Sequence, residues 1–454
     1  MKWLLIGVCC LMLLCGAALA QENGWQAGFG VADIVPDAQS EEPLYIAGYH
    51  SAVEITGVLD LCQARAVWLD AGGPGVLLLG IDCIALDSGT VDKIRQSLGD
   101  IPDCRAIHVY ATHTHAGPDT LGLWGPTGVD GKNDAYMLAL LQAAETAARN
   151  AWASRRAGTL SYAYIDTEDM YRDSRDPQVY DARLHQVRFS PLDGGEGIRL
   201  YFYGAHAESL RGDNTLLSRD FPGLLCDNVQ AATKDKIMYM PGAVGGLIMT
   251  RAFVADTGRQ ALENLKITAE RLTEYALRIA AEDERQLAAV INTATESVTV
   301  PLDNPAFLLY KFLGILTNKV AKASSATGYG VETQVSALQL GEMLIALLPG
   351  EIFPELVTGE AYACHNAALA NPEPLAGIAR KYGFSDLLLI GLCDDEIGYI
   401  VPPSDFLVNE KMPYIERIRD ASGEDHYEET NATGPEAAVA IAQAFERALQ
   451  KLTQ

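Results

Sequence analysis

A strand that runs into two closely spaced histidines is the feature that most constrains this chain. Ile107–Ala111 is a short apolar and aromatic run, and the chain continues through His113 and His115 to a Gly-Pro pair. Such a pattern is typical of a buried strand that ends in a loop. Histidines at positions i and i+2 of an extended backbone project to the same side, and neutral imidazole is a common zinc ligand. The pattern predicts a metal-binding corner, although two histidines hydrogen-bonded in a surface loop would give the same sequence.

Three more groups that can bind a metal lie at or just beyond the ends of apolar runs. His206 follows Ile198–Tyr203, Glu351 follows a strand that breaks at a Pro-Gly pair, and Tyr399 lies beyond Asp386–Gly391. Taken together, these groups predict a site assembled at one edge of a sheet, because functional side chains concentrate where rigid strands end in loops. The remaining histidines lack this setting: His50, His108, His185, His365 and His426.

Strand-like and helical segments alternate along the chain, without an internal repeat or a low-complexity linker. Asp134–Trp152 and Pro435–Leu452 have the apolar spacing of helices, while Val335–Leu340 and Met343–Leu348 flank a Gly-Glu pair as in a hairpin. We therefore predict one large α/β (mixed α+β) domain over residues 21–454, with a mixed central sheet and the metal site at strand ends. The long loops expected to carry function are 117–132, 209–220, 382–384 and 394–428.

The charge of the chain excludes one class of partner. Its formal net charge is −25, and the acidic residues are spread along the sequence rather than collected in a tail. Such a field repels phosphate backbones, so we expect no nucleic-acid partner. Six cysteines follow residue 20, and none forms a CxxC pair. We expect buried free thiols, and one or two disulfides are the alternative in an exported protein.

The N-terminus has the features of a secretory signal peptide over residues 1–20. Lys2 precedes a short apolar run that extends to Leu14, and a small-residue motif ends at Ala20. The run is shorter than the roughly 20 residues that a membrane-spanning helix needs. We predict cleavage after Ala20 and a secreted or periplasmic product with at most peripheral membrane contact. The alternative is a lipoprotein anchored through Cys15, although the preceding leucine is bulky for that processing site.

Six motifs, in order and spacing, resemble those of the neutral/alkaline non-lysosomal ceramidases, which are zinc amidases that cleave N-acyl sphingoid bases. The resemblance runs from about Gly28 to the C-terminus. It implies the ceramidase fold and hydrolysis of a linear amide in a ceramide or another N-acyl lipid. The motifs are Ala111–Pro118, the strand into His206, Leu217–Gly223, Pro349–Glu351, Gly391–Cys393 and Gly398–Ile400.

The resemblance also implies a set of zinc ligands. The family's ligands fall on His113, His206, Glu351 and Tyr399 of this sequence. Two imidazoles, one carboxylate and one phenol suit Zn²⁺ and leave room for water or substrate. Zinc at such a site activates water and polarises a carbonyl, which is the chemistry that hydrolysis of an unactivated amide requires.

Three residues are implied in catalysis. His115 matches the family's second active-site histidine and is expected to orient the nucleophile or to carry a proton to the leaving amine. Tyr399 is expected to be a weak, displaceable ligand or a proton donor. Arg175, in a Ser-Arg-Asp-Pro segment, resembles the arginine that lines the family's site, where it would hold a carboxylate or the developing oxyanion.

Two features depart from the family. The ceramidases have a Gly-Asp-Val-Ser segment whose serine has been called the nucleophile, and Gly245 stands at that position here. A serine nucleophile is thus excluded at this position, whereas metal-activated water is not. The glycines are expected to widen the pocket or to offer N–H groups to an oxyanion. In addition, the chain ends at Gln454, where long ceramidases continue into an immunoglobulin-like domain.

These observations predict an exported, zinc-dependent amidohydrolase that acts on a small-molecule or lipid amide. Loss of the serine leaves two alternatives open. One is a hydrolase of a polar amide or ester, and the other is a non-catalytic member of the same fold that binds a ligand without turnover. The oligomeric state is not specified by any of these patterns.

Overall fold

The structure is a computed structural model that describes residues 24–37, 42–254, 258–421 and 423–454. The predicted signal peptide at 1–20 lies outside these ranges. None of the helices within them is long and apolar enough to cross a membrane. Each of the six cysteines after residue 20 is a free thiol, as expected for the first of the two alternatives.

Most strands belong to two sheets. In chain order the strands are β1 (Trp25–Asp33), β2 (Gly57–Val58), β3 (Gln63–Asp70), β4 (Gly75–Ile81), β5 (Cys104–Ala111), β6 (Arg156–Asp166), β7 (Tyr171–Arg172), β8 (Arg183–Pro191), β9 (Ile198–Tyr203), β10 (Leu216–Leu217), β11 (Lys236–Pro241), β12 (Met249–Thr250), β13 (Arg285–Leu287), β14 (Ile291–Leu302), β15 (Lys319–Lys322), β16 (Tyr329–Leu340), β17 (Met343–Leu347), β18 (Glu351–Ile352), β19 (Asp386–Ile390) and β20 (Tyr399–Ile400).

The described residues also form eight α-helices. They are α1 (Ser88–Ser97), α2 (Asp134–Ala153), α3 (Asp220–Thr233), α4 (Arg259–Arg278), α5 (Pro305–Phe312), α6 (Pro354–Thr358), α7 (Leu375–Lys381) and α8 (Ala437–Leu452).

The larger sheet has nine strands in the order β11-β9-β8-β6-β1-β3-β4-β5, with β13 paired to β6. Its end pairs β11–β9 and β4–β5 are parallel, and the pairs between them are antiparallel. The sheet curls until its two ends approach each other, since the Tyr110 hydroxyl on β5 donates to the Tyr239 carbonyl on β11 at 2.7 Å. This curl brings the C-terminal ends of β5 and β9 close together, although five strands separate them in the sheet.

The smaller sheet has the order β14-β16-β17-β19, with β15 paired to β16. It packs face to face against the concave side of the larger sheet, and alternation along β9 explains how. Leu200 and Phe202 point into the core between the sheets, while Tyr201 and Tyr203 point outward to α3 and α4. Helix α2 covers β1 and β3, and α8 covers β14 and β16. The predicted mixed α/β fold is therefore confirmed.

Candidate metal centre

His113 follows β5 in a left-handed backbone conformation, with φ of 66°. A side chain makes this conformation costly, so it persists only where the surroundings fix it. The ring is buried, and its Nδ1 donates a hydrogen bond to the Ile84 carbonyl at 2.8 Å. Because the proton is held on Nδ1, the lone pair of Nε2 points toward the other candidate ligands.

His206 reaches the same point from the other end of the curled sheet. It follows β9, and the adjacent Ala207 forms a parallel bridge with Thr114, which ties this segment to the loop after β5. The Nδ1 of His206 lies 2.9 Å from the Ile248 carbonyl, to which it donates. Its Nε2 lies 3.0 Å from Oε2 of Glu351. Both histidines thus have the same tautomer, with Nε2 facing one carboxylate.

Glu351 and Tyr399 come from a separate two-stranded sheet, formed by β18 and β20, and are neighbours across this parallel pair. Residue 351 of β18 is directly opposite residue 399 of β20. The turn before β18 requires Gly350, which has φ of 95° and whose missing β-carbon would lie 2.4 Å from the Gly398 carbonyl oxygen. The Oε2 of Glu351 is 3.3 Å from Nε2 of His113. The strand ends of the larger sheet and the β18–β20 pair therefore contribute two of the predicted ligands each.

His115 lies beside these ligands rather than apart from them. Its Nε2 is 3.3 Å from Nε2 of His113, and ligand nitrogens of His113, His115 and His206 all lie within 4.8 Å of one another. Its Nδ1 is buried without a hydrogen-bond partner and lies 3.9 Å from Oε2 of Glu208. A β-carbon on Gly48 would come within 2.5 Å of that nitrogen, so the glycine allows the ring to occupy this place.

Burial and charge set the protonation of these groups. Burial, reinforced by the neighbouring His113 and His206, holds the pKa of His115 well below its ordinary value, so the ring is neutral. Burial disfavours the charged form of Glu351, but the two histidines outweigh it and lower the pKa of this carboxyl. Burial, together with Glu351, raises the pKa of the Tyr399 phenol well above its ordinary value.

The donor set fits a zinc ion. Although burial opposes it, the hydrogen bond and charge of Glu351 raise the pKa of His206, which means that the carboxylate favours a positive charge between itself and the ring. A divalent cation bound between Nε2 and the carboxylate would supply this positive charge without a proton on Nε2. Two imidazole nitrogens and a carboxylate oxygen, with carbonyls fixing the tautomers, have the character of a zinc site.

A cavity of about 330 Å³ lies over this centre. His113, His115, Glu351 and Tyr399 form its polar end. The predicted loop 117–132 contributes three of its apolar residues, the segment around α5 contributes four, and the segment before α1 contributes two. The apolar lining is Ile84, Ala85, Leu121, Leu123, Trp124, Ala306, Phe307, Tyr310 and Leu316.

Arg175 is not brought to this cavity, and it does not line it. Its guanidinium is buried and forms ion pairs with Asp405 at 2.7 Å, Glu429 at 2.8 Å and Glu428 at 3.0 Å. Its carbon Cζ lies 5.2 Å from the centre of the Phe353 ring, two residues beyond Glu351. The arginine thus connects the segment after β18 to the turn 428–431.

The expected role of Gly245 is wrong. Its N–H donates to the Ile352 carbonyl at 2.9 Å, so it is not available to an oxyanion. A β-carbon would lie 2.5 Å from Cδ2 of Phe353 and 2.6 Å from the backbone of residues 352 and 353. The glycine therefore serves close packing behind Glu351 and does not widen the cavity.

The sequence patterns missed three polar groups near the centre. Glu208 accepts hydrogen bonds from the Tyr49 hydroxyl and from Arg211. Glu396 lines the cavity, and burial next to Glu351 raises its pKa well above the ordinary value. Position i+2 from His206 was a usable signal for Glu208, whereas nothing local marked Tyr49.

Comparison with known proteins places this geometry in context. No protein-family profile matches the chain. Neutral ceramidase A of Dictyostelium discoideum is 26% identical over 230 residues, an alignment that covers 45% of this chain and 32% of that protein. The chain thus spans about a third of the length of this curated relative.

Solved structures extend the likeness to nearly the whole chain. The crystal structure of neutral ceramidase from Pseudomonas aeruginosa matches with a TM-score of 0.75 at 15% identity, covering 95% of this chain and 74% of that one. A ceramidase complexed with C2 matches with a TM-score of 0.72 at 14% identity, covering 94% and 75%. The predicted resemblance is therefore confirmed: the chain has the fold of the neutral ceramidases.

Proposed function

We propose that this protein is an exported zinc-dependent amidohydrolase that cleaves an N-acyl lipid such as a ceramide. The observation that carries the proposal is the convergence of two Nε2 lone pairs, from His113 and His206, on the Glu351 carboxylate at the end of an apolar cavity. The ceramidase fold supports the same activity. The apolar lining of the cavity suits an acyl chain, which favours a lipid over a polar amide.

Four residues would hold the ion in this proposal: His113, His206, Glu351 and Tyr399. Zinc bound there supplies a Lewis acid and lowers the pKa of a coordinated water toward 7. Carbonyl acceptors on Nδ1 keep both histidines in the tautomer that ligation requires. The Tyr399 phenol, neutral and buried in the structure, is the weakest of the four donors and the one that substrate can displace.

His115 would move the proton. Its ring is neutral, and its unpartnered Nδ1 lies on the side of Glu208, which is placed to stabilise the imidazolium when it forms. A neutral imidazole can take a proton from the attacking water and give it to the leaving amine.

Arg175 is a positioning residue in this proposal. Its ion pairs hold Glu428 and Glu429, which begin the turn 428–431 that lines the cavity through Thr430 and Asn431. It therefore acts on the substrate through the cavity wall and not through contact with an oxyanion.

The test is release of fatty acid from a short-chain ceramide analogue and from a simple N-acyl amine. We expect turnover by the wild-type protein, loss with a chelator and recovery with zinc. His206→Ala should lose both turnover and the zinc of this centre, whereas His50→Ala should keep both. Binding of the analogue without turnover in zinc-loaded protein would instead identify a non-catalytic ligand-binding member, and turnover of esters alone would identify an esterase.

We also propose export with cleavage after Ala20. Support comes only from the residues themselves, because 1–20 lie outside the described structure. Mass spectrometry of the mature N-terminus tests it, and a lipid-modified Cys15 would contradict it.

A further inference from the structure

A second group of metal-binding side chains lies beside Arg175 and outside the lining of the cavity. His365, Asp420 and His426 each direct one ligand atom to a common point, and these atoms all lie within 4.8 Å of one another. The Oδ2 of Asp420 is 2.9 Å from Nε2 of His365 and 3.9 Å from Nε2 of His426. We name these three residues the distal cluster.

Each ring of the distal cluster is held from behind by a carboxylate. Nδ1 of His365 lies 2.6 Å from Oδ1 of Asp405, and Nδ1 of His426 lies 2.7 Å from Oε1 of Glu429. Carboxylate–histidine pairs of this kind fix the ring and raise the basicity of the opposite nitrogen in protein metal sites. In both rings that opposite nitrogen, Nε2, faces Asp420.

The tautomer of His426 follows from its short contact with Glu429. Nδ1 of His426 lies 2.7 Å from Oε1 of Glu429, and this carboxylate is ion-paired with Arg175 at 2.8 Å. An ionised carboxylate can only accept, so Nδ1 carries the proton and donates it to Glu429. In the neutral ring Nε2 then has a lone pair, and in a residue only 1% exposed it has no hydrogen-bond partner.

Backbone hydrogen bonds fix the carboxylate of Asp420 as well. Its Oδ1 accepts hydrogen bonds from the backbone N–H groups of Gly423 and Glu424 at 2.7 and 2.9 Å. These two bonds fix the carboxylate so that Oδ2 is the oxygen that faces the histidines. A carboxylate oriented in this way is a one-oxygen ligand.

Another group of metal-binding side chains in the described residues has a carboxylate that the protein itself already neutralises. His108, Cys393 and Asp394 also lie close together. There, however, the Asp394 oxygens accept from Arg95, His108, Gln334 and the N–H of Val109. The positive charge of the arginine already neutralises that carboxylate, so the site has no demand for a cation.

We propose that the distal cluster binds a divalent transition-metal ion of the zinc type through Nε2 of His365, Nε2 of His426 and Oδ2 of Asp420. Two imidazoles and one carboxylate form an established donor set for such ions. His365 is on the exposed side of the cluster, which leaves a route for the ion and a place for water as a further ligand. The ion would join His365 to Asp420 and His426, next to the cavity wall at 428–431. This proposal does not rest on the proposed function.

Zinc stoichiometry of the full-length mature protein tests the proposal. After equilibration with zinc alone and removal of the excess, we expect two ions per wild-type chain. His365→Ala should retain one, His206→Ala should retain one, and the double variant should retain none. His50→Ala, which removes an exposed histidine outside both sites, should retain two.

The variants also separate the two proposals. If the candidate metal centre binds no ion, wild type will hold a single zinc that survives His206→Ala and disappears in His365→Ala, and the distal site stands. Asp420→Asn preserves side-chain size and serves as the alternative variant if His365→Ala does not fold. It should also lose one ion. Asp405→Asn should weaken binding of that ion by about 10–100-fold, as loss of a carboxylate behind a ligating histidine does.

Two results would overturn the distal site. One is a wild-type chain whose only zinc is lost in His206→Ala. The other is a second zinc that remains in both His365→Ala and Asp420→Asn. Loading with cobalt instead of zinc gives an independent measurement. The visible absorption of the cobalt ion bound at the distal cluster should be absent in these two variants and present in His50→Ala.

Discussion

The nitrogen of His115 that faces Glu208 distinguishes this residue from its two ring neighbours. His113 and His206 both use Nδ1 to bond a backbone carbonyl, whereas Nδ1 of His115 has no partner. A ring fixed by a carbonyl is suited to hold an ion, and a ring with a free nitrogen is suited to exchange a proton.

We therefore expect His115→Gln to keep its zinc and to lower kcat by about 10²–10⁴-fold, the contribution of a positioned acid–base group. Metal analysis and steady-state kinetics on the N-acyl amine measure the two effects. His50→Ala is the control for a neighbouring histidine outside the cavity lining. Loss of zinc in His115→Gln would instead make His115 a ligand.

Gly245→Ser should destabilise the protein rather than restore a nucleophile. Its β-carbon would contact the backbone of residues 352 and 353 at 2.6 Å, and a backbone cannot move aside as a side chain can. Overpacking of this kind costs about 1–3 kcal/mol in the free energy of unfolding. Urea denaturation measures it, with Gly73→Ser, at a glycine with open space around it, as the control. An unchanged midpoint would contradict the packing role.

Asp395 makes stability depend on pH. Its Oδ1 accepts from the Ser88 N–H and from the Asn318 side chain at 2.7 Å each, while its Oδ2 is buried without a partner. Burial raises the pKa of Asp395 to about 7, compared with about 3.9 in an unfolded chain. Because the folded-state pKa is the higher one, the carboxyl destabilises the fold increasingly from about pH 4 to pH 7 and fully above that.

Asp395→Asn keeps the acceptor and removes the charge. We expect it to raise the free energy of unfolding at pH 8 by on the order of 2–4 kcal/mol, with a gain that shrinks toward pH 4. Urea titrations at several pH values measure this, and the exposed Asp213→Asn should show no such trend. A gain that is independent of pH would exclude the linkage.

At the scale of single elements, the ion pairs of Arg175 connect its own segment to residues 405 and 428–429, to which no strand pairing joins it. The guanidinium bridges Asp405, Glu428 and Glu429 and packs on Phe353. Burial raises the pKa of Glu428 to about 7 even with the arginine beside it. The turn 428–431 thus depends on one cation.

Arg175→Met should destabilise the protein by about 3–5 kcal/mol, because it leaves buried carboxylates without a partner. We expect the loss to be larger at pH 8 than at pH 5, since protonation relieves the unpaired charges as the pH falls. Thermal unfolding at both values measures it. Arg149→Met, at an exposed arginine with its own ion pairs, is the control and should have little effect. Equal losses at both pH values would contradict the electrostatic explanation.

Elements with a strong local pattern were predictable. The buried strand before His113 and the β16–β17 hairpin at Gly341 follow from periodicity and turn chemistry, and both are confirmed. Helix α2 begins at Asp134, as predicted, and Asn133 caps it, because its side chain accepts from the Tyr136 N–H at 2.8 Å. Helix α1 was missed because Val91 and Ile94 are its only apolar side chains. Helix α3 was missed because its third and fourth residues are a Pro-Gly pair, which is typical of a turn.

For the whole molecule, the approach of His113 and His206 depends on the curl of the nine-stranded sheet, which no local pattern encodes. The sequence therefore predicted which groups end strands but not that the five strands between β5 and β9 would curl to bring them together. The same limit applies to Arg175 and His365. Their partners are distant in the chain and lie in irregular segments, where periodicity carries no signal.

A chelator should lower the melting temperature of zinc-loaded protein, because an ion bound only by the folded state stabilises it by mass action. Excess chelator added to the His206→Ala–His365→Ala variant should cause no shift, which makes that variant the control. Differential scanning calorimetry measures both. A chelator that leaves the wild-type melting temperature unchanged would show that no ion is bound to the native state.

Because the β18–β20 pair carries Glu351 and Tyr399 while His113 and His206 follow strands of the larger sheet, an ion at the candidate metal centre would link these two sheets. Release of such an ion would report on their contact. The ion would leave as soon as the β18–β20 pair separates from the larger sheet, even if each sheet retained its own strands, so its release during unfolding would give the time of this separation. Stopped-flow detection of released zinc, recorded beside far-ultraviolet circular dichroism, would then resolve undocking from melting.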